Sequence, residues 1–269
     1  MDRTAFSLYE PTGAYHRAFE DHLAAARLPL AKVNPLHARR FAQSKGARAR
    51  TDRIDARMLA FMGLAHQSAA SAIPSANLRD LKQLQIARMA LIKHRTAAKN
   101  RSKQITLAIL KRQNTARLRQ IADDLKAIEA AMEAIIAQES AMARTFEILC
   151  SIPGISKITA VTMLVEIPEL GTLQPKKVAA LAGLAPYTRQ SGQYKGKRFI
   201  GAGRKFLREA LYMPALVASR FNPDMKTMYQ CLKENGKPAK PALTAIMRKL
   251  IILANTLVNR DRKWVEKGA

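Results

Sequence analysis

At 269 residues, with 48% hydrophobic and 25% charged side chains, the chain has the composition of a globular protein with room for two domains, which excludes a disordered basic tail. Forty-six Lys and Arg against 20 Asp and Glu give a formal net charge of +26 and a pI near 10.6, so a polyanionic partner is expected, nucleic acid ahead of a membrane surface. No run approaches the roughly 18 uninterrupted apolar residues of a membrane span, and no basic segment leads into an apolar one at the N-terminus; the expectation is a cytoplasmic protein with no membrane partner.

Residues 1–66 alternate short strand-like runs (5–9 and 30–34) with helical ones (15–26, 35–43 and 52–64). The pattern is α/β, but two strands and three helices do not cover a sheet, so the segment reads as part of a domain whose other strands lie elsewhere. Glu10 closes the first apolar run just before Pro11 and the turn-prone Gly13. Asp52 and Asp55, in the string TDRIDA, stand at i and i+3 and share one helix face. Two readings stand side by side. A strand-end carboxylate facing a helix pair gathers hard oxygen donors for Mg²⁺; alternatively Thr51 caps the helix, the two Asp complement its positive end and Glu10 is a solvated loop acid.

Residues 77–142 change character to long polar helices almost without Gly or Pro. Leu84, Leu91, Ala98 and Ile105 recur every seven residues, and Ile121, Leu125, Ile128, Met132 and Ile135 step by four and three, which predicts an antiparallel coiled-coil pair breaking near 113–117. Acids are absent between Asp80 and Asp123, while Arg88, Lys93, Arg95, Lys99, Arg101 and Lys103 stud the first helix; this favours a phosphate-contacting face over a merely solvated one.

Residues 146–269 carry their own signals. The string CSIPGISKITAVTML, 150–164, sets a Pro-Gly turn between apolar helical stretches. It reads equally as a helix-hairpin-helix, whose amides around Gly154 and Lys157 hold a phosphate, or as a plain connector in which Gly154 supplies a positive φ. Ser191 and Gly192 lie in a turn-rich basic loop with Lys195, Lys197, Arg198, Arg204, Lys205 and Arg208 close behind. A serine attacks phosphorus only with a base or metal and surrounding cations; the cations are local, whereas the only acid in the loop and the next helix is Glu209, so on its own Ser191 reads as a turn serine. From Ser191 to the C-terminus 17 Lys and Arg face 5 Asp and Glu. The last helix, 241–259, has core spacing with Arg248 and Lys249 outward. Cys150 and Cys231, without CxxC or paired histidines, form neither a disulfide framework nor a zinc site and read as small core hydrophobes.

Three blocks together resemble the bacterial DEDD-type insertion-sequence transposases related to the Piv invertases, regarded as RNA-guided serine recombinases. They are YEPTGAYH at 9–16, VNPLHARRFAQSKGARARTDRIDARMLA at 33–60, and a C-terminal block from Ser151 to Trp264 containing GLAPYTRQSGQYKGKRFIGAGR, ALYMPALVASRFNP and GKPAKPALTAIMRKL. The resemblance implies an incomplete RNase H-like (RuvC-like) domain over 1–66, coiled-coil helices over 67–145 and a mostly helical serine transposase domain over 146–269 that begins like a helix-hairpin-helix. It implies Glu10, Asp52 and Asp55 as Mg²⁺ ligands and Ser191 as nucleophile, with DNA, a guide RNA and further copies of the chain, as dimer or tetramer, for partners.

The family's first acid lies tens of residues before the Glu, so the resemblance also implies an N-terminal truncation that leaves out one metal-binding Asp. Asp2 does not replace it by position. The expected function is therefore transposition of an insertion sequence by serine attack on DNA phosphodiesters; the alternatives are a catalytically dead nucleic-acid-binding remnant or regulator, or a junction resolvase that uses water in place of Ser191.

Overall fold

The computed structural model describes residues 6–11, 15–47, 51–67, 70–71, 73–188, 190–196 and 198–266, with backbone alone at 194 and 195. The chain forms two compact units, Met1–Ser75 and Ala76–Ala269.

In the first unit, β1 (Ser7–Tyr9) and β2 (Leu30–Lys32) pair in parallel, Ser7 opposite Leu30 and Tyr9 opposite Lys32. Parallel strands need a crossover, here α1 (His16–Ala25). Leu30, Ala31 and Val33 are buried, whereas Phe6, Phe19, Phe61 and Leu64 stay exposed. α2 (Pro35–Ser44) begins on a local signal: Asn34 Oδ1 accepts the Leu36 amide at 2.9 Å, and Pro35 fills the first turn, where no amide is needed. α3 (Asp52–His66) starts the same way, Thr51 Oγ1 accepting from the Ile54 amide at 3.3 Å.

One interaction in this unit joins residues far apart in sequence. The Glu20 carboxylate, 3% exposed, accepts the Tyr9 hydroxyl and lies 2.7 Å from Lys32 Nζ and 3.4 Å from His16 Nε2. Burial opposes its charge, yet hydrogen bonds from Lys32 and Tyr9 and the charges of Lys32 and His16 hold its pKa below the usual value. Burial, together with that carboxylate, pushes the Tyr9 phenol up.

The second unit opens with α4 (Ala76–Ser102) and α5 (Ala108–Gln138), which run antiparallel. Arg88 Nε pairs with Glu129 at 2.8 Å, and the Asn114 amide donates to the Ala98 carbonyl at 3.1 Å. The break falls at residues 103–107, earlier than the heptad reading put it, and α5 runs unbroken through 113–117. Both places lack Gly and Pro; the turn is fixed by the pairing, since Arg88 with Glu129 centres the hairpin near Leu107.

These helices share one core with the C-terminal elements: Leu81, Met132 and Ile136 pack with Ile148, Ile152, Met163, Leu211 and Ile246. α6 (Ser140–Cys150), α7 (Lys157–Glu166) and α8 (Pro175–Leu181) precede a small hairpin; α9 (Lys205–Ala210), α10 (Tyr212–Phe221), α11 (Pro223–Glu234) and α12 (Ala239–Asn259) follow it. α12 is long and apolar enough in composition to cross a membrane, but Ile246, Leu250, Ile251 and Ala254 on it are fully buried in the core. Cys150 is half-buried against the edge of the core, whereas Cys231 is exposed on α11 rather than in the core. Cys231 occupies the solvent face of an amphipathic helix whose buried side is carried by Met225.

Candidate active site and nucleic-acid surface

In the first unit the carboxylates gather at the carboxyl end of the parallel strands, where open α/β sheets usually place their ligands. Glu10 directly follows β1, and it lines a cavity of about 320 Å³ together with Asp55, Arg39, Gln43, Pro35 and Met58. Asp52 does not line it. Both aspartates are exposed in the first turn of α3, where they complement its positive end, and Asp55 alone of the two also faces the cavity with Glu10. Among the described residues, no three His, Cys, Asp or Glu side chains stand close enough to hold a metal by themselves.

The donor chemistry still suits a hard cation, because Mg²⁺ commonly takes one or two carboxylates and completes its shell with water and substrate phosphate. Glu10 and Asp55 supply such a pair. Arg39 brings a cation to the same cavity and was missed by the sequence reading; its only signal was the Arg-Arg pair in HARRF, indistinguishable there from a solvated helix face.

In the second unit the basic loop is a two-rung hairpin. β3 (Pro186–Tyr187) pairs with β6 (Phe199–Ile200), and β4 (Gln190–Ser191) pairs with β5 (Tyr194–Lys195). Ser191, opposite Tyr194, stands just before the two-residue turn Gly192 and Gln193. Gly192 has φ +56° and Gln193 is not in the left-handed region, the pattern of a type II′ turn that wants Gly first. Ser191 is therefore exposed at the tip, and among the described residues its hydroxyl has no hydrogen-bonded base.

The neck is narrow. A Cβ on Gly203 would sit 2.6 Å from the Leu181 carbonyl, so the segment leaving the hairpin approaches the end of α8 as only glycine allows, and the Arg204 amide donates to the same carbonyl at 2.7 Å.

The basic candidates divide by what they touch. Arg204 sets both terminal nitrogens on Glu169 at 2.7 Å and donates from Nη1 to the Glu166 carbonyl at 2.6 Å. Arg208 donates to the Ala202 carbonyl at 2.6 Å, and Lys157 Nζ pairs with Glu133 at 2.8 Å. Lys205 lies 3.7 Å from Glu209 with its side chain 71% exposed. Arg198 is exposed and makes no ion pair among the described residues. Lys195 has only its backbone described, and Lys197 lies outside the described residues.

Gly154 has φ +104°, and a Cβ there would meet the Pro214 carbonyl at 2.7 Å. Positive φ and the close approach of α10 thus account for this glycine. At the next helix start, the Ser156 hydroxyl accepts the Thr159 amide at 3.3 Å.

Comparison with known proteins finds two matched segments in order. A DEDD-type IS110 transposase model matches residues 3–111, and the model described as Transposase IS116/IS110/IS902 family matches residues 146–230. The chain is similar to the pilin gene-inverting proteins of Moraxella lacunata and Moraxella bovis, 29% identical to each over 97% of this chain and 82% of theirs. It is also 29% identical to the insertion element IS110 uncharacterized 43.6 kDa protein of Streptomyces coelicolor, over 54% of this chain and 37% of that one.

Proposed function

We infer that a chain carrying both matched segments in this order is a transposase of the IS110 family, and on that premise we propose that it exchanges DNA strands through Ser191. The observation that supports this best is the exposure of Ser191 at the tip of a hairpin whose stem carries the exposed Arg198, so that a strand reaching the serine meets positive charge along its length.

In the proposed step the Ser191 Oγ–P bond forms as the P–O3′ bond breaks, and the serine proton ends on the departing 3′ oxygen. Attack by a 3′-hydroxyl of the exchanged strand reverses both changes, so no external energy source is consumed. Cations of the basic loop offset the charge that builds on the phosphoryl oxygens, and Arg198, lower on the hairpin, holds the flanking strand. Arg204 acts at one remove, fixing the hairpin neck through Glu169. Glu10 and Asp55 are the residues that would hold Mg²⁺, which when bound polarises the phosphate and eases loss of the hydroxyl proton; Arg39 grips the phosphate beside them. The carboxylates belong to one unit and the serine to the other. Guide RNA and a dimer or tetramer complete the reading, as does a cytoplasmic location.

The second reading, a nucleic-acid binder without strand exchange, is favoured by the formal net charge of +26, which calls for a polyanion but not for chemistry on it. The test is a denaturing gel of the full chain with Mg²⁺ and supercoiled DNA carrying the element's ends, with and without its co-purifying RNA. A covalent protein–DNA band lost in Ser191→Ala is the expected result. Tight binding with no such band under any condition would sink the enzymatic reading, and a cut product that survives Ser191→Ala would point to water as nucleophile.

A further inference from the structure

The stem of the serine hairpin forms one side of a groove whose other side is the segment leading into α12 and the start of that helix. Four cations line it, Arg198, Lys237, Lys240 and Arg248, over an apolar floor that includes Phe199 and Ile200. Its volume, about 640 Å³, is in the range of small-ligand pockets. No acid lines it, and none of the four cations makes an ion pair among the described residues.

The arrangement follows from the register of α12. Leu243, Ile246, Met247 and Leu250 turn into the core, which leaves Lys240, Thr244 and Arg248, four residues apart, as a stripe along the groove. The first turn of α12 holds no acid that would offset this charge. Arg248, read from the sequence as simply outward, thus faces a shaped surface.

A second feature belongs to the same stem. The Tyr187 and Phe199 rings stack at 5.8 Å with 26° between their planes, and each residue remains 42% exposed. Large aromatics 42% exposed beside cations that make no ion pair among the described residues have the chemistry of a stacking platform for unpaired bases. A duplex would offer the cations its phosphates but would leave the apolar floor unused, because its bases are stacked on one another.

Tyr187 precedes Ser191 by four residues, a separation of at most about 14 Å. That spans at most about four stacked nucleotide steps.

We propose that this groove holds the unpaired DNA strand flanking the phosphate that Ser191 attacks, one base against Phe199, which the Tyr187 ring backs, and the backbone along Arg198, Lys237, Lys240 and Arg248. The choice of DNA over RNA rests on the reading of Ser191 as a nucleophile for DNA; the groove's fitness for an unpaired strand does not.

The experiment is fluorescence anisotropy of the full chain with a labelled oligodeoxythymidylate of about 12 nucleotides, across a salt series, beside the matching oligouridylate and a DNA duplex. Phe199→Ala should weaken the single strand about five- to hundredfold and the duplex little, and Phe199→Tyr should bind as the parent does. Lys240→Gln with Arg248→Gln should lower the single-strand salt slope by about 1.4. Thermal unfolding of each variant confirms that the fold is kept. Unchanged affinity and slope in both would overturn the groove, and tighter binding of oligouridylate than of oligodeoxythymidylate would overturn its assignment to DNA. Groove-dependent binding by a chain that forms no Ser191-linked adduct would support the groove while removing the nucleophile.

Discussion

Arg204 lies in fork-to-fork contact with Glu169, Nη1 to Oε2 and Nη2 to Oε1 both at 2.7 Å, just where the serine hairpin rejoins the helical core. A residue that the basic run presents as one more phosphate ligand is thereby turned inward, and the hairpin leaves the core at a fixed angle. Hydrogen bonding from Arg204 holds the Glu169 carboxyl below its usual range against the cost of burial. Arg204→Ala should cost about 1 kcal/mol, since the partial exposure of the pair screens it. Arg204→Lys should not restore the loss, because an ammonium lacks the planar fork. The salt slope of DNA binding should change less in Arg204→Ala than in Arg198→Ala; an equal drop would place Arg204 on the nucleic acid.

The buried Glu20 cluster predicts an acid sensitivity confined to the first unit. A carboxyl whose pKa is depressed in the folded state stabilises the fold above its unfolded pKa, about 4.3, and that contribution is lost as pH falls through the folded value. Lys32→Ala should remove about 2 kcal/mol, less than breaking an isolated buried pair, because Tyr9 and His16 still face the charge. The single tryptophan, Trp264, lies in the second unit, so amide exchange over residues 6–67 is the readout. Protection there that is indifferent to both the substitution and acid would show the cluster to be energetically idle.

Gly154→Ala separates the two readings of the Pro-Gly turn. The new Cβ must adopt φ +104° and press on the Pro214 carbonyl at 2.7 Å, which should cost more than about 2 kcal/mol and lower the melting temperature. If the glycine serves only this packing, the folded fraction keeps its DNA affinity and salt slope. A variant that melts like the parent but binds DNA weakly would restore the phosphate-holding role.

The elements of the first unit were legible because their signals are local: Asn34 with Pro35 and Thr51 with Asp52 announce helix starts, and the apolar runs on either side are short and bounded. The Glu20 cluster was not, since Tyr9 and Lys32 reach it only through the pairing of β1 with β2. The turn between α4 and α5 carries no Gly or Pro and is set by partners such as Arg88 and Glu129, 41 positions apart. The serine hairpin hid for another reason. Its strands are two residues each, too short for alternation to show, so only Gly192 marked a turn. The groove cation Arg248 read as simply outward until the hairpin stem was placed opposite it, and Lys240 fell just before the helix as read from the sequence.

Asp52 and Asp55, equivalent by spacing, are made unequal by the cavity. Asp55 lines it with Glu10, whereas Asp52 stays on the exposed first turn of α3. A carboxylate that belongs to the metal's own shell should be indispensable, and one that only adds negative potential nearby should be worth the few tenths to 1 kcal/mol of a helix-end charge. Asp55→Ala and Glu10→Ala should therefore abolish Mg²⁺ binding measured by calorimetry in the presence of a DNA oligonucleotide, together with any covalent adduct. Asp52→Ala should weaken binding less than about tenfold. Equal loss in Asp52→Ala and Asp55→Ala would show that α3 turns about its axis on engaging DNA and brings both carboxylates to the metal.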